Sequence, residues 1–186
     1  MNLADWDQRY RAGEHTSEAP APLLVEIAGR LAPGYALDLA CGAGRNALYL
    51  AARGWKVTAV DGSPVAVELT RERAERSGVE LKTSIADLDR AEFTIRPQSF
   101  DLICDCYYMQ RDLFLKMKAG LRPGGLIVSI VHITGSDQPE AAERRAAPGE
   151  LRRFFDGWKI LAYREGEPDE SGHKYPVAEI AAQRPE

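Results

Sequence analysis

The run from Ala36 to Leu50, ALDLACGAGRNALYL, constrains the fold more than any other stretch of the chain. Ala36, Leu37, Leu39 and Ala40 form a short apolar segment, as a strand covered on both faces would. Cys41-Gly42-Ala43-Gly44 does not extend that strand. Two glycines in three positions remove Cβ atoms where a backbone turns sharply or a ligand comes close. Ala47, Leu48, Leu50 and Ala51 then recur at helical spacing, and Gly54 ends the helix. A strand, a glycine loop and a helix N-terminus together make a site for a nucleotide-like ligand.

Gly42, Gly44 and Ala47 satisfy the relaxed G-x-G-x-x-G/A pattern, which by itself does not say which nucleotide. Asp38, on the strand before the loop, does. A pyrophosphate would meet a carboxylate there unfavourably, whereas a ligand with a positively charged amino-acid end would be welcomed. Asp38, Ala40, Gly42 and Gly44 occupy the places of D/E-x-G-x-G-x-G, the first motif of the class I S-adenosylmethionine-dependent methyltransferases, which the chain resembles. Ala40 stands where that motif has its first glycine, and should narrow the strand end without closing the pocket. The resemblance implies S-adenosylmethionine as cofactor. It also implies an α/β Rossmann-like three-layer sandwich with a seven-stranded, mostly parallel sheet, order 3-2-1-4-5-7-6, the last strand antiparallel.

The opening Trp6-Asp7-Gln8-Arg9-Tyr10 places Trp6 and Tyr10 at i, i+4 on one helical face. Such a turn either docks on the core or forms a lid. W-D-x-R-Y, with Cys41, Gly42, Gly44, Arg45, Asn46, Leu48, Tyr49 and Leu50, also resembles the TehB-type tellurite-resistance methyltransferases. In that family the N-terminal segment helps cover the cofactor, so the resemblance puts Trp6, Tyr10 and Asn46 at its site.

A length of 186 residues suits one domain, with residues 1–20 as an arm and 133–150 as an insert. A net charge of −4 argues against nucleic-acid binding, which usually needs a basic face. No apolar run approaches 18 residues, the N-terminus carries no signal-peptide core, and Cys41, Cys104 and Cys106 read as free thiols. These features point to a cytoplasmic monomer or homodimer away from membranes. Cys104 and Cys106 share one strand face but lack the further ligands a metal would need.

Leu23, Leu24, Ile27, Ala28 and Leu31 predict a helix closed by Pro33-Gly34. Val57 to Val60 is a second strand ending in Asp61, 17 residues after Gly44, close to the offset of about 20 at which an acidic residue accepts ribose hydroxyls. Asp61-Gly62-Ser63-Pro64 also starts a helix, with Ser63 as cap and Pro64 at its first position. That helix runs over 65–77, and a third strand over 79–85. The resemblance gives Asp87 the adenine amino group, with Ala86 and Leu88 beside the ring, and places Gly62 and Ser63 with Asp61.

Phe100 to Cys106 predicts a fourth strand. Its end, Asp105-Cys106-Tyr107-Tyr108, should open into the crevice beyond the carboxyl ends of the strands, with Cys106 toward the cofactor. Gln110 to Leu121 predicts a helix with Leu113, Phe114 and Met117 inward. Arg122-Pro123-Gly124-Gly125 then leads into a fifth strand over 126–131. Residues 138–149 predict a surface helix or loop, 149–155 a last helix, and 159–165 and 174–181 a terminal hairpin. Tyr107, Arg111 and His132 are the candidate catalytic residues. Arg111 would hold an anionic acceptor, and His132 would act as base or hydrogen-bond donor. Tyr108 lies beside them.

The sequence therefore predicts methyl transfer to a small-molecule acceptor, such as a thiol or a tellurium or selenium oxyanion. No N/D-P-P-Y signature follows the fourth strand, which lowers base and glutamine N-methylation. An NAD(P)-dependent oxidoreductase is the alternative that Asp38 and the terminal hairpin disfavour. A non-catalytic S-adenosylmethionine-binding protein is the other.

Overall fold

A computed structural model describes residues 2–134, 143–170 and 175–186. Helix α1 spans Leu3–Arg11 and α2 spans Pro22–Ala28. Strand β1 (Tyr35–Leu39) feeds α3 (Arg45–Ala51), then β2 (Lys56–Asp61), α4 (Pro64–Ser77) and β3 (Lys82–Ile85). The second half runs through β4 (Phe100–Cys106), α5 (Arg111–Gly120), β5 (Leu121–His132), α6 (Glu150–Arg153), β6 (Lys159–Gly166) and β7 (Val177–Gln183).

The strands form one sheet in the order β3-β2-β1-β4-β5-β7-β6, and β7 runs antiparallel to both of its neighbours. This is the predicted architecture. Alternation along each strand sorts side chains between two layers. Leu37, Leu39, Ile103, Ile127 and Val131 face α5, where Leu113, Phe114 and Met117 are buried as expected. Ala36, Ala59, Leu102, Cys104, Val128 and Ile130 face α2 and α3, against Leu24, Ile27, Ala47 and Leu50. Leu31 packs there too, although α2 ends at Ala28. Phe114 also stacks on Phe154 with ring centroids 4.4 Å apart.

Several boundaries move for identifiable reasons. Strand β3 starts at Lys82, not Val79, because Gly78 closes α4 in a left-handed conformation and Val79 N–H donates back to Ala74 O. Strand β5 starts at Leu121 and absorbs the Arg122-Pro123-Gly124-Gly125 turn as a register shift against β4. The last helix shortens to one turn, opened by Gly149 at φ 73°. The last strand starts at Val177. Lys174 and residues 138–142 of the expected surface segment lie outside the described residues. Among the described residues, no helix is long and apolar enough to cross a membrane.

Candidate active-site crevice

The glycine loop is fixed from below by Asp61. Its Oδ2 accepts the Gly42 amide and its Oδ1 the Ser63 amide, each at 2.8 Å. Burial pushes the Asp61 carboxyl up, against the pull of those two amides. Ser63 also caps α4 as predicted, through the Ala66 amide at 3.1 Å. Ala40 takes φ 49°, the left-handed conformation that the resembled motif fills with glycine. Gly44 has φ 80° and lies so close to α4 that a Cβ there would be 2.6 Å from Thr70 Cγ2. Thr70 Oγ1 meanwhile donates to Gly42 O at 3.0 Å.

Asp38 is 1% exposed. Its Oδ1 accepts from the Cys104 thiol at 3.3 Å, and its Oδ2 has no hydrogen-bond partner among the described residues. Burial pushes its carboxyl up to about 7, held back first by the Cys104 hydrogen bond.

The N-terminal arm lies across this loop. A Cβ on Gly42 would sit 2.8 Å from the Tyr10 hydroxyl, and one on Gly62 would sit 2.6 Å from Leu3 Cδ2. Ser63 Oγ donates to Asp7, and Trp6 stacks on Tyr10 with centroids 6.0 Å apart. No α1 residue is fully buried, so the helix rests on the loop without joining the core. The arm is then laced down. Arg73 donates to Ala43 O at 2.9 Å and Thr16 O at 2.6 Å, and Asn46 Oδ1 accepts the Ala21 amide at 2.9 Å. Asp87 organises its own turn, accepting from the Asp89 amide at 2.9 Å between buried Ala86 and Leu88.

Beyond the ends of β4 and β5, Tyr107 takes φ 68° and packs its ring 5.3 Å from that of His132. The Tyr107 hydroxyl donates to Glu170 Oε1 at 2.8 Å, and Arg45 pairs with the other Glu170 oxygen. Tyr175 meets His132 edge-on at 5.9 Å and carries the Arg145 guanidinium 3.6 Å above its ring. Cys106 lies half-buried on the α3 side of this group. The thiols are free, and no group of three or more metal-ligating side chains occurs among the described residues.

Arg111 grips Glu150 at 2.6 and 2.9 Å, and donates to the carbonyls of Glu143 and Arg145. It thus joins α5 to the C-terminal end of the 133–150 segment. Tyr108 donates to Asp89 at 2.8 Å, and Asp89 receives a two-pronged contact from Arg144. Glu170, Tyr175, Asp89 and Arg144 were missed in the sequence. They come from loops far apart in the chain and carry no periodic signal.

A model of the family "Tellurite resistance protein TehB" matches residues 7–174. The chain belongs to the TehB family. A protein described as hemagglutinin 1 of Eikenella corrodens is 30% identical over 165 residues, covering 84% of this chain and 54% of that one. A probable S-adenosyl-L-methionine-dependent methyltransferase TehB of Haemophilus influenzae is 27% identical over 165 residues, covering 81% and 57%. The chain therefore spans about half the length of these curated relatives. The crystal structure of Haemophilus influenzae TehB superposes with a TM-score of 0.79 at 24% identity, covering 96% of this chain and 67% of that one, so the fold is shared.

Proposed function

We propose that the chain is a class I methyltransferase that moves the methyl group of S-adenosylmethionine to a small-molecule acceptor. Asp38 carries this reading. A nearly fully buried carboxyl with an orphaned oxygen under a glycine loop calls for positive charge. A dinucleotide pyrophosphate would add negative charge there, whereas S-adenosylmethionine brings an ammonium and a sulfonium. The rest of the crevice fits the same ligand. Asp61 is aimed and held for ribose hydroxyls, while Gly62, Ser63, Ala86, Asp87 and Leu88 flank the adenosine end. Trp6 and Tyr10 close over it from the arm, and Ala40, Gly42, Gly44, Asn46 and Cys106 border the amino-acid end. Membership of the TehB family, with a methyltransferase among its relatives, supports it further.

When bound, the cofactor supplies an electrophilic methyl on a positively charged sulfur. The protein's part is alignment and exclusion of water. Tyr107 and His132 line the acceptor side, and the segment 143–150, pinned by Arg111 and Arg144, caps it. His132 serves as base for an acceptor that arrives protonated; a thiolate or a tellurium or selenium oxyanion needs none.

A thermal-shift titration with S-adenosylhomocysteine, with NADH in parallel, tests the cofactor. Ligand at about 100 times its Kd stabilises by roughly 2.7 kcal/mol, about 5–10 °C for a chain of this size. The shift is expected with S-adenosylhomocysteine alone and is abolished in Asp61→Ala; a shift with NADH instead would sink the reading. On the acceptor side, unchanged turnover in both His132→Ala and Arg111→Ala would remove those two residues from it.

A further inference from the structure

Asp105 occupies a place no role above accounts for. It pairs in register with Leu39, the last residue of β1, and with Ser129 of β5. Alternation along β4 turns it toward the α5 layer with Ile103, away from Cys104 and Cys106. Asp105 is 1% exposed and Ser129 fully buried. Neither carboxyl oxygen of Asp105, nor the Ser129 hydroxyl, has a hydrogen-bond partner among the described residues. Each such buried atom costs about 1–3 kcal/mol, so three on one rung of the sheet are a large local penalty.

The rung is also where the sheet order turns. β1 leads to β2 and β3 on one side, and β4 leads to β5 on the other, so the crevice between β1 and β4 is where ligands enter such sheets. Asp38 flanks it from β1 and Asp105 from β4, one on each face, both with orphaned oxygens. Burial, and then the negative charge of Asp38, push the Asp105 carboxyl well above the usual carboxylate range, so it holds its proton until a cation arrives beside it and releases that proton to solvent as the cation binds. Two carboxyls with unmet acceptor capacity border one crevice, and nothing described on the α5 side brings a cation to Asp105.

We propose that Asp105 is the counter-charge for the cationic centre of the methyl donor, so that the site holds a positively charged donor in preference to its neutral product. This rests on the methyltransferase reading. In the transfer, an acceptor electron pair forms the new bond to the methyl carbon. The pair of the breaking S–CH3 bond stays on sulfur, which loses its positive charge. A carboxyl beside that sulfur grips the donor and relaxes its hold on the product.

Calorimetric titration of the wild type and Asp105→Asn with three ligands tests this. S-adenosylmethionine and sinefungin both carry positive charge at that position, as a sulfonium and as an amine; S-adenosylhomocysteine is neutral there. Asp105→Asn is expected to weaken both cationic ligands at least tenfold, less than the full worth of one charge pair several Å apart at an effective dielectric constant of about 20 because the carboxyl must first give up its proton, and to leave S-adenosylhomocysteine within about twofold. Equal change for all three ligands, or none, overturns the inference while leaving the cofactor assignment standing. Failure of the wild type to bind any of the three overturns both. Asp105→Val is the second variant. It replaces an orphaned buried carboxyl with a side chain the α5 layer accepts, so it is expected to melt at or above the wild-type temperature and to lose the same discrimination. Loss of all binding in both variants would mark Asp105 as structural and overturn the proposal.

Discussion

Gly44→Ala separates two demands that the loop makes on one residue. Gly44 sits at φ 80°, and forcing an L side chain into that left-handed region costs about 1–2 kcal/mol. The added Cβ would also stand 2.6 Å from Thr70 Cγ2 and 2.7 Å from Thr70 Oγ1. Relief requires Thr70 to turn and surrender its hydrogen bond to Gly42 O, a loss of about 1 kcal/mol, or α4 to move away from the loop. The total is about 3 kcal/mol. Gly78 isolates the first part, because it has φ 64° at the end of α4 and a Cβ there would meet nothing within 4 Å. At about 2–4 °C per kcal/mol, Gly44→Ala should melt roughly 6–12 °C below the wild type and Gly78→Ala roughly 2–8 °C below, with Gly44→Ala the lower of the two. Urea unfolding should rank them the same way. Adding Thr70→Ala to Gly44→Ala removes the two clashing atoms, leaves only a tight 3.0 Å Cβ contact, and should recover part of the loss. Equal destabilisation of Gly44→Ala and Gly78→Ala would refute the idea that close packing against α4, and not φ alone, requires glycine here.

The Asp38 carboxyl, at about 7 when folded, keeps a proton between about pH 4 and pH 7 that the unfolded chain has released. Its contribution to stability is therefore full below about pH 4 and declines as pH rises to about 7, by about 1.4 kcal/mol per pH unit. Asp38→Asn should flatten that slope in urea unfolding at pH 5, 6 and 7; an unaltered slope would mean Asp38 ionises normally. Trp6→Ala should weaken S-adenosylhomocysteine about fivefold while moving the unfolding free energy by under about 1 kcal/mol, since no α1 residue is fully buried. A large stability loss with unchanged affinity would make α1 a docking helix and not a cover. Among the thiols, Cys106 should alkylate before the buried Cys41 and Cys104, and S-adenosylhomocysteine should slow it; mass spectrometry of the labelled peptides decides.

The backbone geometry of the glycine loop was legible because each of its residues answers a local demand. Gly42 and Gly44 supply conformations that other residues resist, Ser63-Pro64 starts a helix, and Asp61 ends a strand at the expected offset. Ala40 shows the limit of that logic, since an alanine at φ 49° is invisible to composition and visible only as a departure from a motif. The side chains beyond β4 and α5 were less legible. Arg111 was expected to await an anion, but its fork grips Glu150. The pairing of Arg45 with Glu170 joins residues 125 positions apart, through a loop with no periodic pattern. Asp105 stood in a quoted motif, yet that its carboxyl has no hydrogen-bond partner among the described residues emerges only when β4 and β5 are set in register.

Strand β7 follows every other described strand, yet it sits between β5 and β6, with its side chains from Val177 to Ala182 buried. A nascent chain that has emerged only as far as Gly166 holds β5 with an open edge and β6 with no strand to pair with. Both present unpaired N–H and C=O groups that invite association with other chains. The hazard lasts until Gln183 has emerged and β7 has paired with both. A stop codon before Val177 would leave the chain in that state permanently.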